Sequence, residues 1–558
     1  VRWARPGYSL LLALLVTGPL LGPGYLLLRD AVSTPRSYLT DTALGLTAPP
    51  RATPQDFALA LASQVIDGGV VVKALLVLGL WFAGWGAARL VALVLPGAGA
   101  AGQFVAITLA VWNPYVAERL LQGHWSLLVG YGCLPWIAVA MLTLRCGGPG
   151  VWGVVFWIAL AGLTPTGLIL GAIVALVCVA APGAGWRRRW CAAVAALTAL
   201  VGALPWLIAA AVSPVGDNPP SAPGVEAFAP RAEPGLGTLG SLASLGGIWN
   251  GQAVPDSRTT LFAVSSAAVL LGIVAAGLPA AARRPAAVPL LVLALVSVLV
   301  PCALATSPGL RLLSSVIDAA PGLGLLRDGQ KWVALAVPGY TLAGAGAVVT
   351  LGRWLRPAVA AAVCCLALVL TLPDLAWGVW GRMTPVHYPH AWTAVAAAIN
   401  ADPRTVVALP AGTMRRFPWS GPATVLDPLP RWVRADVLST GDLPVSGAVV
   451  PGEGAHARAV QRLLLSGPDP AALARAGVGW LVVESDSAGE MGTAARTLAT
   501  LKPVYADREL TLYRIGGDTA RVPAAHRTAA LIAHAAWLAM LIIGGAGTLA
   551  GRLRRRAS

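Results

Sequence analysis

Apolar runs of spanning length recur along most of the chain, near 8–28, 72–95, 125–144, 190–212, 260–280, 286–305, 333–351, 357–377 and 527–550. A helix rises about 1.5 Å per residue, so roughly 20 such residues cross a hydrocarbon layer about 30 Å thick. A shorter run lies near 102–114, and a block at 151–181 is broken by Thr164-Pro165-Thr166-Gly167. Proline and threonine at a turn end a helix where protein or water takes up the freed backbone groups. The block therefore reads as two short spans or a re-entrant pair, and the pattern predicts about twelve transmembrane helices. The pattern changes between 385 and 520. Thr405–Pro410, Val478–Val483 and Leu510–Ile515 read as strands and Ala471–Ala476 as a short helix, which predicts a small α/β domain. The expected fold class is mainly α: a polytopic membrane domain over 1–384, an α/β domain over 385–520, and a final span with a basic tail over 521–558.

Charge sets the orientation. Hydrophobic residues make up 57% of the chain and charged ones 11%, with a mean hydropathy of +0.72, whereas soluble domains carry about 25% charged residues. The net charge of +16 points away from nucleic acid because of where it sits. With Arg2 and Arg5 on the cytoplasmic side, twelve crossings place Arg145, Arg187–Arg189, Arg283–Arg284, Arg353, Arg356 and Arg552–Arg556 there too, as the positive-inside rule requires. Both termini are then cytoplasmic in a bacterial plasma membrane. The first span reads as a retained helix rather than a cleaved leader. Segments 29–71, 115–124, 213–258, 306–331 and 378–526 face outside. The seven cysteines show no CxxC spacing and read as small buried hydrophobes.

Three polar clusters on the expected outer side carry candidate chemistry. Arg29-Asp30 follows the first span, where a partly desolvated carboxylate beside a cation suits a general base toward a hydroxyl; the plainer reading is an interfacial ion pair capping the helix end. Asp41, Asp56 and Asp67 read as solvated or helix-capping. The segment Asn113 to Trp125 packs Asn113, Tyr115, Glu118, Arg119, Gln122, His124 and Trp125 into one outer loop. Glu118 and Gln122 are i,i+4 neighbours on a short helix, Glu118 is a rival base, and Tyr115 and Trp125 also suit an aromatic belt. Arg327-Asp328-Gly329-Gln330-Lys331 precedes a later span. Arg327 and Lys331 share a helix face there, against the positive-inside trend, as an anionic head group would require. No acid or second histidine stands at metal-ligand spacing from His124. The sequence has no P-loop, GxGxxG-plus-helix, HExxH or GxSxG context. An enzyme outside the membrane is cut off from cytoplasmic nucleotides and needs a membrane-delivered activated substrate.

These three clusters resemble the GT-C superfamily of integral membrane glycosyltransferases, with the nearest likeness to actinobacterial members such as the mycobacterial arabinofuranosyl- and mannosyltransferases. The resemblance covers roughly 1–380. It implies an inverting transfer from a polyprenyl-phosphate sugar to a glycan or glycolipid acceptor of the cell envelope, arabinofuranosyl or mannosyl transfer foremost. It implies Asp30 as the catalytic base and Arg327 and Lys331 as contacts to the donor phosphate. Arg29, Asn113, Tyr115, His124, Trp125 and Gln330 complete the expected substrate-binding set. The family often pairs two neighbouring acids in the first loop, but here the next acid after Asp30 is Asp41. A divalent cation is therefore compatible with the resemblance but not required by it. A lipid-linked sugar transporter and a non-catalytic envelope scaffold stand as alternatives. Intramembrane polar residues would favour the transporter, and indifference to loss of Asp30 would favour the scaffold.

Overall fold

Helices form where the apolar runs stand. The computed structural model describes residues 3–212, 224–445, 448–467, 469–517 and 522–557; the stretch 213–223 of the expected outer segment lies outside them. Among the described residues seven helices are long and apolar enough to cross a membrane: Ala4–Leu21, Gly68–Val94, Trp125–Arg145, Arg188–Val212, Phe262–Ala282, Gly329–Leu351 and Ala524–Gly551. Two bent pairs, Val288–Leu304 with Ser307–Ala319 and Pro357–Leu370 with Pro373–Gly381, raise the number to nine if each is one span. The expected twelve would also need the short apolar helices Gly99–Val111, Val151–Ala161 and Pro165–Val179 to cross. Local chemistry sets the breaks. Thr164 caps the helix that starts at Pro165 by accepting from the Gly167 N–H at 3.0 Å. Asp67 caps Gly68–Val94 through the Gly69 and Val70 N–H groups.

Small residues bring these helices together, as is usual where lipid removes the hydrophobic drive for association. A Cβ on Gly277 would lie 1.8 Å from the Ala343 carbonyl oxygen, and one on Gly346 2.3 Å from that of Gly277. The helices Phe262–Ala282 and Val337–Leu351 thus touch backbone to backbone. Gly79 and Gly132 make a second such crossing.

The expected first span, 8–28, is cut short. Helix Ala4–Thr17 passes into a 3-10 turn at Gly18–Leu21, because Pro19 and the run Gly22-Pro23-Gly24 cannot continue it. The apolar residues beyond become a β-hairpin, Leu27–Leu28 paired antiparallel with Ala31–Val32. Arg29-Asp30 is its two-residue turn, not a helix end. The expected Arg327–Lys331 helix is likewise two 3-10 segments, Pro321–Arg327 and Gly329–Ala336, separated at Asp328.

The C-terminal part builds a four-stranded sheet in the order Val406–Leu409, Trp480–Glu484, Leu510–Arg514, Pro503–Ala506, the first pair parallel and the others antiparallel. Three strands and the short helix Pro470–Arg475 stand where alternation indicated. The fourth strand is largely exposed and carries no apolar run to read. One core of this lobe takes in Leu27 and Val32 of the hairpin beside Trp392, Val406 and Trp480. The lobe thus packs directly on the hairpin. Asp41 is mostly buried in an ion pair with Arg527 of the last helix, and Asp56 pairs with Arg431 of the lobe, so neither is simply solvated. Cys146 is exposed, unlike the other cysteines.

The glycine crossing is testable in the solubilised protein. Gly277→Val should destabilise it by at least the ~1–3 kcal/mol typical of overpacking, whereas Gly272→Val on the same helix, where a Cβ meets nothing within 4 Å, should leave the melting temperature unchanged. Equal melting points for the two variants would contradict the close approach.

Candidate active site

The short helix Pro114–Gln122 organises the site. Asn113 caps it by accepting from the Val116 N–H at 3.1 Å, and Pro114 occupies its first position. Gly123 ends it in the left-handed region at φ +85°. A side chain at Gly123 would also strike the hairpin, since its Cβ would lie 2.3 Å from the Ala31 nitrogen and 2.4 Å from the Leu28 oxygen. The hairpin therefore rests on bare backbone here.

The turn itself is strained and held. Arg29 has φ +48°, at the position of a two-residue hairpin turn where glycine is usual. Its guanidinium donates to the Leu121 carbonyl at 2.5 Å and the Gln252 carbonyl at 2.7 Å, and its own carbonyl accepts from the Leu426 N–H of the lobe at 2.8 Å. The Asp30 N–H donates to the Gln122 carbonyl at 3.2 Å. Arg29 is thus scaffold, and what it presents is the Asp30 side chain.

Asp30 keeps a third of its side chain exposed. Its Oδ2 accepts from His124 Nε2 at 2.9 Å and Gln122 Nε2 at 3.1 Å. Arg119 Nη1 donates to His124 Nδ1 at 3.1 Å, which assigns the histidine proton to Nε2, facing Asp30. Arg119 in turn grips Asp328 with two bonds, 2.7 and 2.9 Å, and also donates to the Gln330 side-chain oxygen. A chain Asp328–Arg119–His124–Asp30 results. Lys331 sits beside it with Nζ 3.7 Å from Asp328 Oδ2 and part of its side chain open to solvent. Burial alone would raise the Asp30 carboxyl, but the His124 bond, Gln122 and the Lys331 charge outweigh it and hold Asp30 below the usual carboxylate range. Burial pushes His124 down despite Asp30, so it is neutral at pH 7. Asp328 is held far down by Arg119 and Lys331 in spite of its burial.

Of the other expected residues, Asn113, Tyr115, Glu118, Trp125 and Gln330 are buried, and Arg327 makes no bond to the Asp328–Arg119–His124–Asp30 chain. Glu118 is fully buried and accepts from the Gly247 and Ile248 N–H groups and from Gln330 Nε2. Burial and the neighbouring Glu233 push it well above the usual carboxylate range, so it holds its loop rather than meeting a substrate. Gln330 is also fully buried, between Arg119 and Glu118. Tyr115 stacks on Tyr131 and donates to the Lys331 carbonyl at 3.2 Å. Asn113 Nδ2 donates to the carbonyls of Leu109 and Ala110. Tyr115 and Trp125 are buried, not part of a lipid-facing belt. Arg327 stays half-buried with its guanidinium over the Phe228 ring, 5.1 Å from its centre. Arg119, Gln122 and Asp328 stand in the polar clusters but outside the expected catalytic and substrate-binding set, and the structure adds them to it.

Solved structures share the fold that carries these residues. The cryo-electron microscopy structure of the arabinofuranosyltransferase AftD from mycobacteria superposes with a TM-score of 0.60 at 16% identity, over 93% of this chain and 40% of that one. The chain has the fold of AftD. Two classes of a mutant AftD superpose at 0.53 and 0.51 with the same identity. This chain spans about two-fifths of AftD's length. No family model matches the sequence, and no curated protein matches it significantly. The AftD fold and the apolar helices make this a multi-pass membrane protein. Within its AftD-like frame, no three His, Cys, Asp or Glu side chains converge as metal ligands among the described residues. Asp30 Oδ2 is taken up by His124 and Gln122.

The pH dependence of the site follows from Asp30. Its depressed pKa keeps the carboxylate as pH falls toward the ordinary value of about 3.9, and the ionised form is lost only below that. His124→Phe removes the strongest of the contacts that hold the pKa down and leaves only Gln122 and Lys331 to oppose burial. The titration of the Asp30 carboxyl should therefore move to higher pH in that variant; an unmoved titration would separate His124 from Asp30.

Proposed function

We propose that the chain is an inverting glycosyltransferase that moves a sugar from a polyprenyl-phosphate donor to an envelope glycan or glycolipid, with arabinofuranose or mannose as the sugar. The observation that carries this reading is a partly exposed carboxylate on a pinned turn beside an ammonium, within the fold of an arabinofuranosyltransferase. Asp30 takes the proton of the acceptor hydroxyl as that oxygen attacks the anomeric carbon from the face opposite the phosphate. The bond from the anomeric carbon to the phosphate oxygen breaks, and the lipid phosphate leaves with the electron pair. Lys331 and Arg327 neutralise its charge. A lipid phosphate is a good leaving group, so one positioned base and a phosphate clamp make up the minimum apparatus. His124, Arg119 and Asp328 fix the orientation of Asp30, as a chain of hydrogen-bonded supports does in preorganised sites.

The topology belongs to the same proposal. Twelve crossings put both termini in the cytoplasm and Asp30, His124, Lys331 and the 385–520 domain outside. That places the domain where it covers the site and meets the acceptor.

Purified protein supplied with a panel of polyprenyl-phosphate sugars tests the reaction. Asp30→Asn should insert normally, retain donor binding and lose ~10²–10⁴ in rate, as removal of a general base does. Lys331→Ala should weaken donor use roughly 10- to 100-fold, since a charge-assisted bond to phosphate is typically worth ~1.5–3 kcal/mol. Glu118→Gln should lower stability more than turnover. Near-normal transfer by Asp30→Asn with a dead Glu118→Gln would move the base to Glu118. For topology, a cysteine in place of the exposed Arg508 of the lobe, in a cysteine-free background, should label from outside, and cytoplasmic labelling there would overturn the orientation.

A further inference from the structure

The end of the helix bundle opposite Asp30 carries charge with no counter-charge. Arg89, Arg145, Arg187–Arg189, Arg283, Arg284, Arg353 and Arg356 stand there, while the sequence has no Asp or Glu between Asp67 and Glu118, Glu118 and Asp217, Asp256 and Asp318, or Asp328 and Asp374. Any anion that neutralises these arginines must come from elsewhere. The structure narrows the place. A cleft of about 300 Å³ opens between three helix ends, lined by Gly97, Ala98, Val348, Val349, Gly352, Arg353 and Pro357. Arg284 reaches the same cleft, with Nη2 3.9 Å from where a Cβ on Gly97 would stand. Both arginines are exposed, and among the described residues neither side chain has a hydrogen-bond or ion-pair partner. The cleft's rim is apolar and open, with Val349 and Trp354 exposed at 40% and 74%.

Two unpaired guanidiniums over an apolar rim, at the level where helices leave the bilayer, match one chemistry: a phosphate ester whose acyl chains continue along the protein. We propose that this cleft binds the headgroup phosphate of an anionic phospholipid, held between Arg284 and Arg353. The two glycines of the lining leave the room, since a Cβ on Gly97 would meet nothing nearer than Arg284. The inference depends on the bundle spanning a membrane and is independent of the transferase reading.

Native mass spectrometry of the full detergent-released chain tests it, with phosphatidylglycerol, phosphatidylcholine and inorganic phosphate offered at equal concentrations. Phosphatidylglycerol should be retained over phosphatidylcholine. Each arginine is worth roughly 5-fold near an anionic surface, so the Arg284→Ala/Arg353→Ala double variant should lose roughly 25-fold. Gly97→Phe, which fills the cleft and keeps both charges, should lose retention as well. The control Arg187→Ala/Arg188→Ala, on the same face but away from the cleft, should bind as the parent does. Equal retention of the two lipids, or equal losses in the control and the cleft variants, would overturn the site. Full competition by inorganic phosphate at the lipid's concentration would overturn the lipid and leave a free-phosphate site.

Discussion

The buried pairing of Arg119 with Asp328 is the constraint on which the rest of the site depends. Both groups are withdrawn from water, and removing one partner of such a pair typically destabilises by ~3–5 kcal/mol because the other is left charged and alone. Two parallel bonds also fix direction, which a single contact does not. The pair joins the helix Pro114–Gln122 to the segment before the span Gly329–Leu351. By fixing the guanidinium plane, it directs Nη1, which it shares with Asp328 Oδ2, toward His124 Nδ1 and thereby decides which imidazole nitrogen faces Asp30. Lys331 then sits three residues beyond Asp328, at a separation the pair sets. Asp30 and Lys331 are thus placed relative to each other by a pairing between two other residues.

A second set of ties arrives from the lobe. The Arg29 carbonyl is bonded by Leu426, and Leu27 and Val32 sit in the lobe's core. A turn with a strained residue persists only where its surroundings over-determine it, and here four hydrogen bonds and a glycine floor do so. The lobe is therefore a structural part of the site whether or not it also touches a substrate.

Much of this was legible in the sequence, for identifiable reasons. Apolar runs are a local signal, so the long helices and three of the four main strands stand where they were read. The first span was overread because Leu26 to Leu28 is as apolar as the helix before it; Pro19 and Gly22-Pro23-Gly24 held the true boundary. The exposed strand Pro503–Ala506 has no buried face to betray it. At the site, residue types pointed to the right three segments. They did not distinguish a polar group that faces solvent from one already used by the protein. Asn113, Tyr115, Glu118 and Gln330 carry suitable chemistry, yet backbone and neighbours consume it. Arg119 and Asp328 find each other across 209 positions, a pairing that no spacing rule reports. Burial separates the two groups and leaves Asp30, His124, Lys331 and Arg327 partly accessible.

The bond from Leu426 to Arg29 has a consequence for biogenesis. A chain inserted from its N-terminus exposes the Arg29-Asp30 turn early, yet the strand that pins it is made roughly four hundred residues later. Contacts so distant in sequence form late and slowly. Through most of synthesis the inserted helices therefore lack the contact that pins this turn, and the turn is completed only when the lobe folds back onto the hairpin.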